Sequence, residues 1–142
     1  MTIAMIYLKD VDPDRFFLSF FVRSGPERVG IMALDMFNYE LARVRDVVDT
    51  PHMGLIRLQW WRDEIRKIYA GSSSLPHPVL AGINDLVVRY DIPYDDFDRV
   101  ITAREADFEE YDTFDMTAYA RAIHQPIMHI KARILGESAD IG

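Results

Sequence analysis

The amino-acid sequence predicts an all-α fold of about six helices. Apolar residues recur at helical spacing along nearly the whole chain, and glycines and prolines separate the periodic segments. No segment alternates apolar and polar residues over the length of a convincing strand, and no internal repeat is present. A chain of 142 residues is the size of one domain, so we expect residues 1–142 to share a single core.

Proline and glycine bound the first three predicted helices, which we place at residues 13–22, 26–48 and 53–70. A proline opens each of the first two, where its missing N–H group costs no helical hydrogen bond. The second helix ends before Pro51, and Gly71 ends the third. The residues expected to face the core are Phe37, Leu41, Val44 and Val48 in the second helix and Leu58, Trp61, Ile65 and Ile68 in the third.

The other three predicted helices cover residues 78–90, 93–111 and 116–135. Asp115 can cap the last of these, and Pro126 inside it is expected to kink it or split it in two. The inward-facing residues of the helix at 78–90 are expected to be Val79, Ile83, Leu86 and Val87.

Composition excludes several classes of function. The net charge is −7, from 23 acidic and 16 basic residues, which disfavours nucleic-acid binding because such binding requires a basic surface. There is no cysteine, which excludes disulfides and thiolate metal sites. The N-terminus has no basic leader, and no stretch approaches the roughly 18 apolar residues of a membrane span. We therefore expect a soluble protein without a transmembrane segment, either cytoplasmic or peripheral to the inner membrane.

Two adjoining segments carry a specific resemblance to a known family. They read FNYELARVRDVV at residues 37–48 and GLIRLQWWRD at residues 54–63. Both resemble the squalene/phytoene synthase family, most closely the branch that contains the mitochondrial assembly factor for respiratory complex I and its bacterial relatives. Weaker likenesses, in AREADF at 103–108 and ILG at 134–136, extend the resemblance over residues 10–136.

The resemblance implies a helical isoprenoid-synthase-like bundle. In that fold, two aspartate-rich motifs each place carboxylates at i and i+4, so that they hold Mg²⁺ ions against a substrate diphosphate; oxygen ligands of this kind suit Mg²⁺. The family is about twice as long as this chain. We therefore expect the N-terminal half of the family fold, truncated before the second acidic motif.

The first acidic motif is altered in this chain. It falls at residues 45–49, where Asp49 fits but Arg45 occupies the position of the partner carboxylate. An arginine there would repel Mg²⁺ and could pair with Asp49 instead. Asp46 and Asp49 remain the candidate Mg²⁺ ligands, and Arg45, Asp107 and Arg57 are the candidate substrate-binding residues, Asp107 because it matches a family position near the cavity.

The Trp60-Trp61 pair allows two interpretations. Trp61 lies on the apolar stripe and is expected in the core, whereas Trp60 is rotated by about 100° and is expected at an interface. Arg57 and Arg62 flank the pair and could bind an anionic headgroup or a diphosphate. We favour the alternative, in which they are exposed and pair with Asp63 or Glu64.

These observations leave three hypotheses for function. The leading one is a non-catalytic family member that binds a partner protein or a prenyl or lipid ligand, and that forms a homo-oligomer or a complex because a partial fold leaves apolar surface uncovered. The alternative is a Mg²⁺-dependent head-to-head prenyltransferase acting on farnesyl or geranylgeranyl diphosphate. A third hypothesis is a role in respiratory complex I assembly, as the resemblance implies.

Overall fold

A computed structural model describes residues 25–72, 77–109 and 113–136, together with Asp10 and Asp14. This part of the chain is helical and contains no strand, which confirms the predicted fold class. The predicted helix at 13–22 lies outside the described residues except for Asp14. The elements are α1 (Pro26–Val47), α2 (Pro51–Tyr69), α3 (Pro78–Tyr90), α4 (Tyr94–Glu105), a 3₁₀ turn (Ala106–Phe108) and α5 (Met116–Leu135).

Local chemistry sets both ends of α2. The helix begins at Pro51, two residues earlier than predicted, because the Thr50 hydroxyl accepts a hydrogen bond from the Met53 N–H at 3.3 Å and caps the first turn. Gly71 ends it as predicted. Its φ of 74° lies in the left-handed region, and its N–H donates to the Ile68 carbonyl at 3.0 Å.

The predicted helix at 93–111 was too long. Its α-helical part ends at Glu105, and the chain tightens into the 3₁₀ turn before Glu109 becomes extended. This turn carries Asp107 to the hydroxyl of Tyr119 and places the Phe108 ring over Gly54. Contacts distant in sequence therefore end the helix, and helical periodicity does not report them.

Pro126 does not split α5, which runs unbroken from Met116 to Leu135. The proline removes the hydrogen-bond donor that would pair with the Ala122 carbonyl. Ala122 is exposed, so water can satisfy that carbonyl, while the proline itself is buried against the core. Asp115 caps the helix as predicted, with its carboxylate accepting from the Ala118 N–H at 3.0 Å.

The core forms around α1, which contacts each of the other four α-helices described above. The predicted stripes are confirmed: their residues are buried, except Val48 and Val87, which are partly buried against the same core. Phe37 lies at the centre of an aromatic cluster, edge-on to Trp61 at 5.9 Å and to Phe97 at 5.7 Å between ring centroids. Burial of these large apolar surfaces is the main force that holds the helices together.

Arg62 joins α2 to α4, and the expectation that it would be exposed and paired with Asp63 or Glu64 was wrong. Its Nε donates to Asp98 at 2.6 Å and its Nη1 to Glu105 at 2.9 Å, while only 12% of the side chain is exposed. Burial alone would lower the pKa of Arg62. Hydrogen bonds and the charges of Asp98 and Glu105 outweigh it, so the pKa is raised.

We expect Arg62→Met to lower the free energy of unfolding by about 1–2 kcal/mol, because the apolar chain keeps the packing but leaves two partly buried carboxylates without their cation. Urea denaturation followed by circular dichroism measures the loss. Arg66→Met is the matched control, since Arg66 is mostly exposed, lies 3.7 Å from Asp63 and sits 5.8 Å from the centre of the Tyr94 ring; its cost should stay below about 1 kcal/mol. Equal losses in both variants would contradict the assigned role of Arg62.

Candidate functional site

The candidate site is a polar cluster between α1, α4, the 3₁₀ turn and α5. We call it the Arg104 network, and it consists of Asn38, Arg45, Arg104, Asp107 and Tyr119. Asn38 and Arg45 lie two turns apart on one face of α1. Arg104 comes from the end of α4, and Tyr119 from the first turns of α5. The cluster therefore depends on the packing of three helices.

Arg104 is the centre of the cluster. Its Nη2 donates to the Asn38 side-chain carbonyl at 3.2 Å, and its Nη1 donates to the Tyr119 hydroxyl at 3.3 Å. Tyr119 in turn donates to Oδ1 of Asp107. Asp107 Oδ2 lies 4.0 Å from Arg104 Nη1, and Asp107 Oδ1 lies 4.0 Å from Arg45 Nη1. One carboxylate thus faces two guanidinium groups.

Burial makes these charges energetically important. The side chain of Asp107 is only 3% exposed and that of Arg104 only 9%, whereas Arg45 is 56% exposed. Among the described residues, Arg104 Nε and Asp107 Oδ2 have no hydrogen-bond partner. The cluster carries more positive than negative charge, so it opposes the entry of Mg²⁺ and favours anions.

The candidate metal ligands lie elsewhere. Asp46 and Asp49 are both exposed, and Asp49 follows the end of α1 at Val47. Within the described ranges, no group of three or more histidines or acids could hold a metal ion. These residues do not fit the multi-magnesium cluster that the resemblance implies, because such a cluster needs several converging carboxylates.

Arg45 pairs with Asp107 rather than with Asp49. The suggested i,i+4 pair requires both residues in one helix. Since α1 ends at Val47, Asp49 no longer lies one turn above Arg45. The structure thus brings together two of the three predicted substrate-binding residues, Arg45 and Asp107.

Arg57, the third predicted residue, lies in a separate groove between α1 and α2 with a volume of about 430 Å³. We call it the Trp60 groove. It is lined by Glu40, Arg43, Val44, Val47, Ile56, Arg57, Trp60, Trp61 and His77. As predicted, Trp61 is buried in the core and Trp60 is partly exposed, at 6% and 39%.

Sequence reasoning missed Asn38, Tyr119 and His77. Asn38 carries a detectable signal, since it is a polar residue within the buried run of α1 and therefore needs a partner. Tyr119 shows no such signal before α5 is placed against Arg104. His77 caps α3 by accepting from the Val79 N–H at 3.2 Å and lies against Trp61.

Tyr119 provides a pH-dependent test of the cluster. Burial, and then its hydrogen bond to Asp107, raise the pKa of Tyr119 above the ordinary 10.0. Its protonated form is therefore stabilised by folding. This contribution is complete below the unfolded pKa and is lost as the pH rises through the folded value.

Urea denaturation at several alkaline pH values measures this contribution. We expect the contribution of Tyr119 to the free energy of unfolding to be constant below about pH 10 and to decline above it. The decline should be shallower in Tyr119→Phe, which cannot ionise there. Tyrosinate absorbance should also show one tyrosine fewer with a raised pKa in that variant. Identical pH profiles for both proteins would contradict the assigned environment of Tyr119.

None of the described helices has the length and apolar character needed to cross a membrane.

Comparison with known proteins gives consistent results. The profile of the squalene/phytoene synthase family matches residues 8–141. The human protein "NADH dehydrogenase (ubiquinone) complex I, assembly factor 6" is 27% identical over 113 residues, which cover 77% of this chain and 33% of that protein. The bovine and rat proteins of the same name are 28% and 29% identical over 113 and 108 residues, covering 77% and 73% of this chain and 33% and 32% of their own lengths. The chain thus spans about a third of these relatives. No solved structure matches it.

Proposed function

The chain belongs to the squalene/phytoene synthase family, and from this premise we propose that it is a non-catalytic member that binds a partner protein during assembly of respiratory complex I. The names of the human, bovine and rat relatives support the assembly role. Those relatives are about three times as long as the matched region, so their partners come to this chain only within the proposal. We also propose that residues 1–142 form one domain.

One observation carries the non-catalytic part of the proposal. Arg45, which stands where the family motif has a carboxylate, lies 4.0 Å from the buried Asp107. Ionisation of an allylic diphosphate needs its departing negative charge neutralised, and the family does so with Mg²⁺ held by paired carboxylates. In this chain Asp107 is already opposed by Arg45 and Arg104, and it accepts a hydrogen bond from Tyr119. These partners already neutralise the charge of Asp107, which therefore stabilises the packing of the helices.

A catalytic assay tests this part directly. The full chain is incubated with Mg²⁺ and labelled farnesyl diphosphate, and diphosphate release is measured. We expect no release above the buffer blank. Release that falls in Asp46→Asn/Asp49→Asn, but not in the exposed control Asp63→Asn, would overturn the proposal.

Family membership favours a second candidate, the Mg²⁺-dependent head-to-head prenyltransferase acting on farnesyl or geranylgeranyl diphosphate. It would use Arg45, Arg57 and Asp107 to bind substrate, with Mg²⁺ on Asp46 and Asp49. The same assay separates the two candidates, because only the enzyme releases diphosphate. A non-catalytic prenyl or lipid ligand would instead protect the chain against thermal unfolding without being consumed.

The partner is tested with the purified chain as bait. We expect it to retain subunits of respiratory complex I from solubilised membranes, and light scattering of the isolated chain to report whether it also forms a homo-oligomer. A chain that retains none of these subunits would contradict the assembly role.

A further inference from the structure

The Trp60 groove combines exposed apolar side chains with a concave shape. Val47 is 43% exposed, Ile56 55% and Trp60 39%, although all three are large and apolar. They line one cavity between the end of α1 and the outer face of α2. Single exposed apolar residues are common, but several around one concavity indicate a binding surface.

Aromatic contacts hold the wall of the groove in place. Trp60 lies edge-on to Trp61 at 5.0 Å between ring centroids, and His77 lies 5.3 Å from Trp61 and 6.2 Å from Trp60. Trp61 is anchored in the core, and His77 is fixed as the cap of α3. A tryptophan held in this way loses little side-chain entropy on binding, which is a property of residues that dominate interface energies.

The groove is positively charged within an acidic protein. Arg43 and Arg57 line it together with one acid, Glu40, which lies 3.5 Å from Arg43. Arg57 makes no ion pair with any residue in the described ranges. The chain as a whole carries a net charge of −7. An unpaired arginine beside an apolar groove attracts an acidic partner and selects against a basic one.

From these observations we infer that the Trp60 groove binds an acidic amphipathic helix of a partner protein. An apolar groove between two helices can accept the apolar face of a third helix at i, i+4 and i+7 spacing. Acidic residues at the edge of that helix would face Arg43 and Arg57. The inference rests on the proposed partner-binding function and names the chemistry of the partner.

The surroundings of the groove disfavour an anionic membrane surface. The exposed acids Asp46 and Asp49 flank Val47 in sequence, and Asp63 lies three residues beyond Trp60. Their charge would repel an extended anionic surface. A short helix brings only the few acids at its edge near Arg43 and Arg57, so it meets less of this repulsion than an extended anionic surface does.

The test uses a synthetic helical peptide with leucines at i, i+4 and i+7 and glutamates at the edges, and a second peptide with lysines in place of the glutamates. Trp60 reports binding, because the chain has two tryptophans and Trp61 is already buried. We expect the acidic peptide to shift the fluorescence emission to shorter wavelength and to bind at least about tenfold more tightly than the basic peptide.

Matched variants locate the binding site. Ile56→Ser and Arg57→Glu should each weaken binding of the acidic peptide by about tenfold or more. The controls Val88→Ser and Arg99→Glu change exposed residues of the same types on α3 and α4, and they should change it by less than about twofold.

The inference would be overturned by equal binding of both peptides, by equal effects of groove and control variants, or by Ile56-dependent binding to phosphatidylcholine–phosphatidylglycerol vesicles in place of the peptide. A concentration-dependent dimer that Ile56→Ser abolishes would assign the groove to a second copy of the chain.

The groove and the assembly role can fail separately. Peptide binding through the groove without retention of complex I subunits would support the groove as a binding site and refute the assembly role. Retention of these subunits by the Ile56→Ser and Arg57→Glu variants would support the assembly role and refute the role of the groove.

Discussion

Arg104→Met is expected to lower the free energy of unfolding by about 3–5 kcal/mol, which is the cost of breaking a buried ion pair by removing one partner. Methionine fills part of the space but leaves the Asp107 carboxylate, only 3% exposed, without its nearest buried cation. Asn38 also loses the guanidinium that donates to its side-chain carbonyl. Urea denaturation followed by circular dichroism measures the loss.

The double variant Arg104→Met/Asp107→Asn separates charge from packing. Asparagine removes the buried charge and can still accept from Tyr119, so the double variant should be more stable than Arg104→Met alone. Arg66→Met is the surface control, because Arg66 and its partner Asp63 are 57% and 53% exposed and lie 3.7 Å apart; it should cost less than about 1 kcal/mol. If Arg104→Met costs no more than this control, the Arg104 network does not hold the helices together.

Gly54→Val is expected to lower the free energy of unfolding by about 3 kcal/mol through overpacking. A Cβ atom at Gly54 would lie 2.2 Å from a ring carbon of Phe108, well inside van der Waals contact. Either the ring or the 3₁₀ turn must move, and the turn also carries Asp107. The substitution therefore disturbs both the packing of α2 and the Arg104 network. Thermal and urea unfolding report the loss.

A double-mutant cycle tests the cause of this effect. The three atoms nearest to a Cβ at Gly54 all belong to the Phe108 ring. In a Phe108→Ala background these atoms are gone, so adding Gly54→Val should lower the free energy of unfolding by less than about 1 kcal/mol further. Gly136→Val is the matched control, because no atom of the described residues beyond its chain neighbours lies within 4 Å of a Cβ built there; we expect it to lower the free energy of unfolding by less than about 0.5 kcal/mol. A full effect of Gly54→Val in the Phe108→Ala background would contradict the steric explanation.

The sequence predicts the helices and their ends correctly where neighbouring residues determine them. Apolar spacing identified the buried stripes, and proline, glycine and aspartate marked ends such as Gly71 and Asp115. The predictions fail where contacts between residues distant in sequence determine the structure. The end of α4 depends on Tyr119 and Gly54, and the partners of Arg62 lie 36 and 43 residues further along the chain. Periodicity carries no information about such contacts.

The candidate site was predictable in part for the same reason. Arg45 and Asp107 were identified from the family pattern, and they do lie together. Arg57 was identified because it flanks the Trp60-Trp61 pair, and it lies in the separate Trp60 groove. That Arg45 would face Asp107 instead of Asp49 depends on where α1 ends and on how the 3₁₀ turn packs. The central role of Arg104 follows from the crossing of α1, α4 and α5, which only the three-dimensional arrangement reveals.

We propose that this chain does not assemble a magnesium cluster for a prenyl diphosphate. The most direct test is to titrate the full chain with Mn²⁺, a paramagnetic substitute for Mg²⁺, in the presence of a non-reactive farnesyl diphosphate analogue. Electron paramagnetic resonance then counts the bound ions. We predict that the chain binds no more Mn²⁺ than its Asp46→Asn/Asp49→Asn variant does. Saturable binding of two or more ions by the unaltered chain, lost in that variant, would contradict the account.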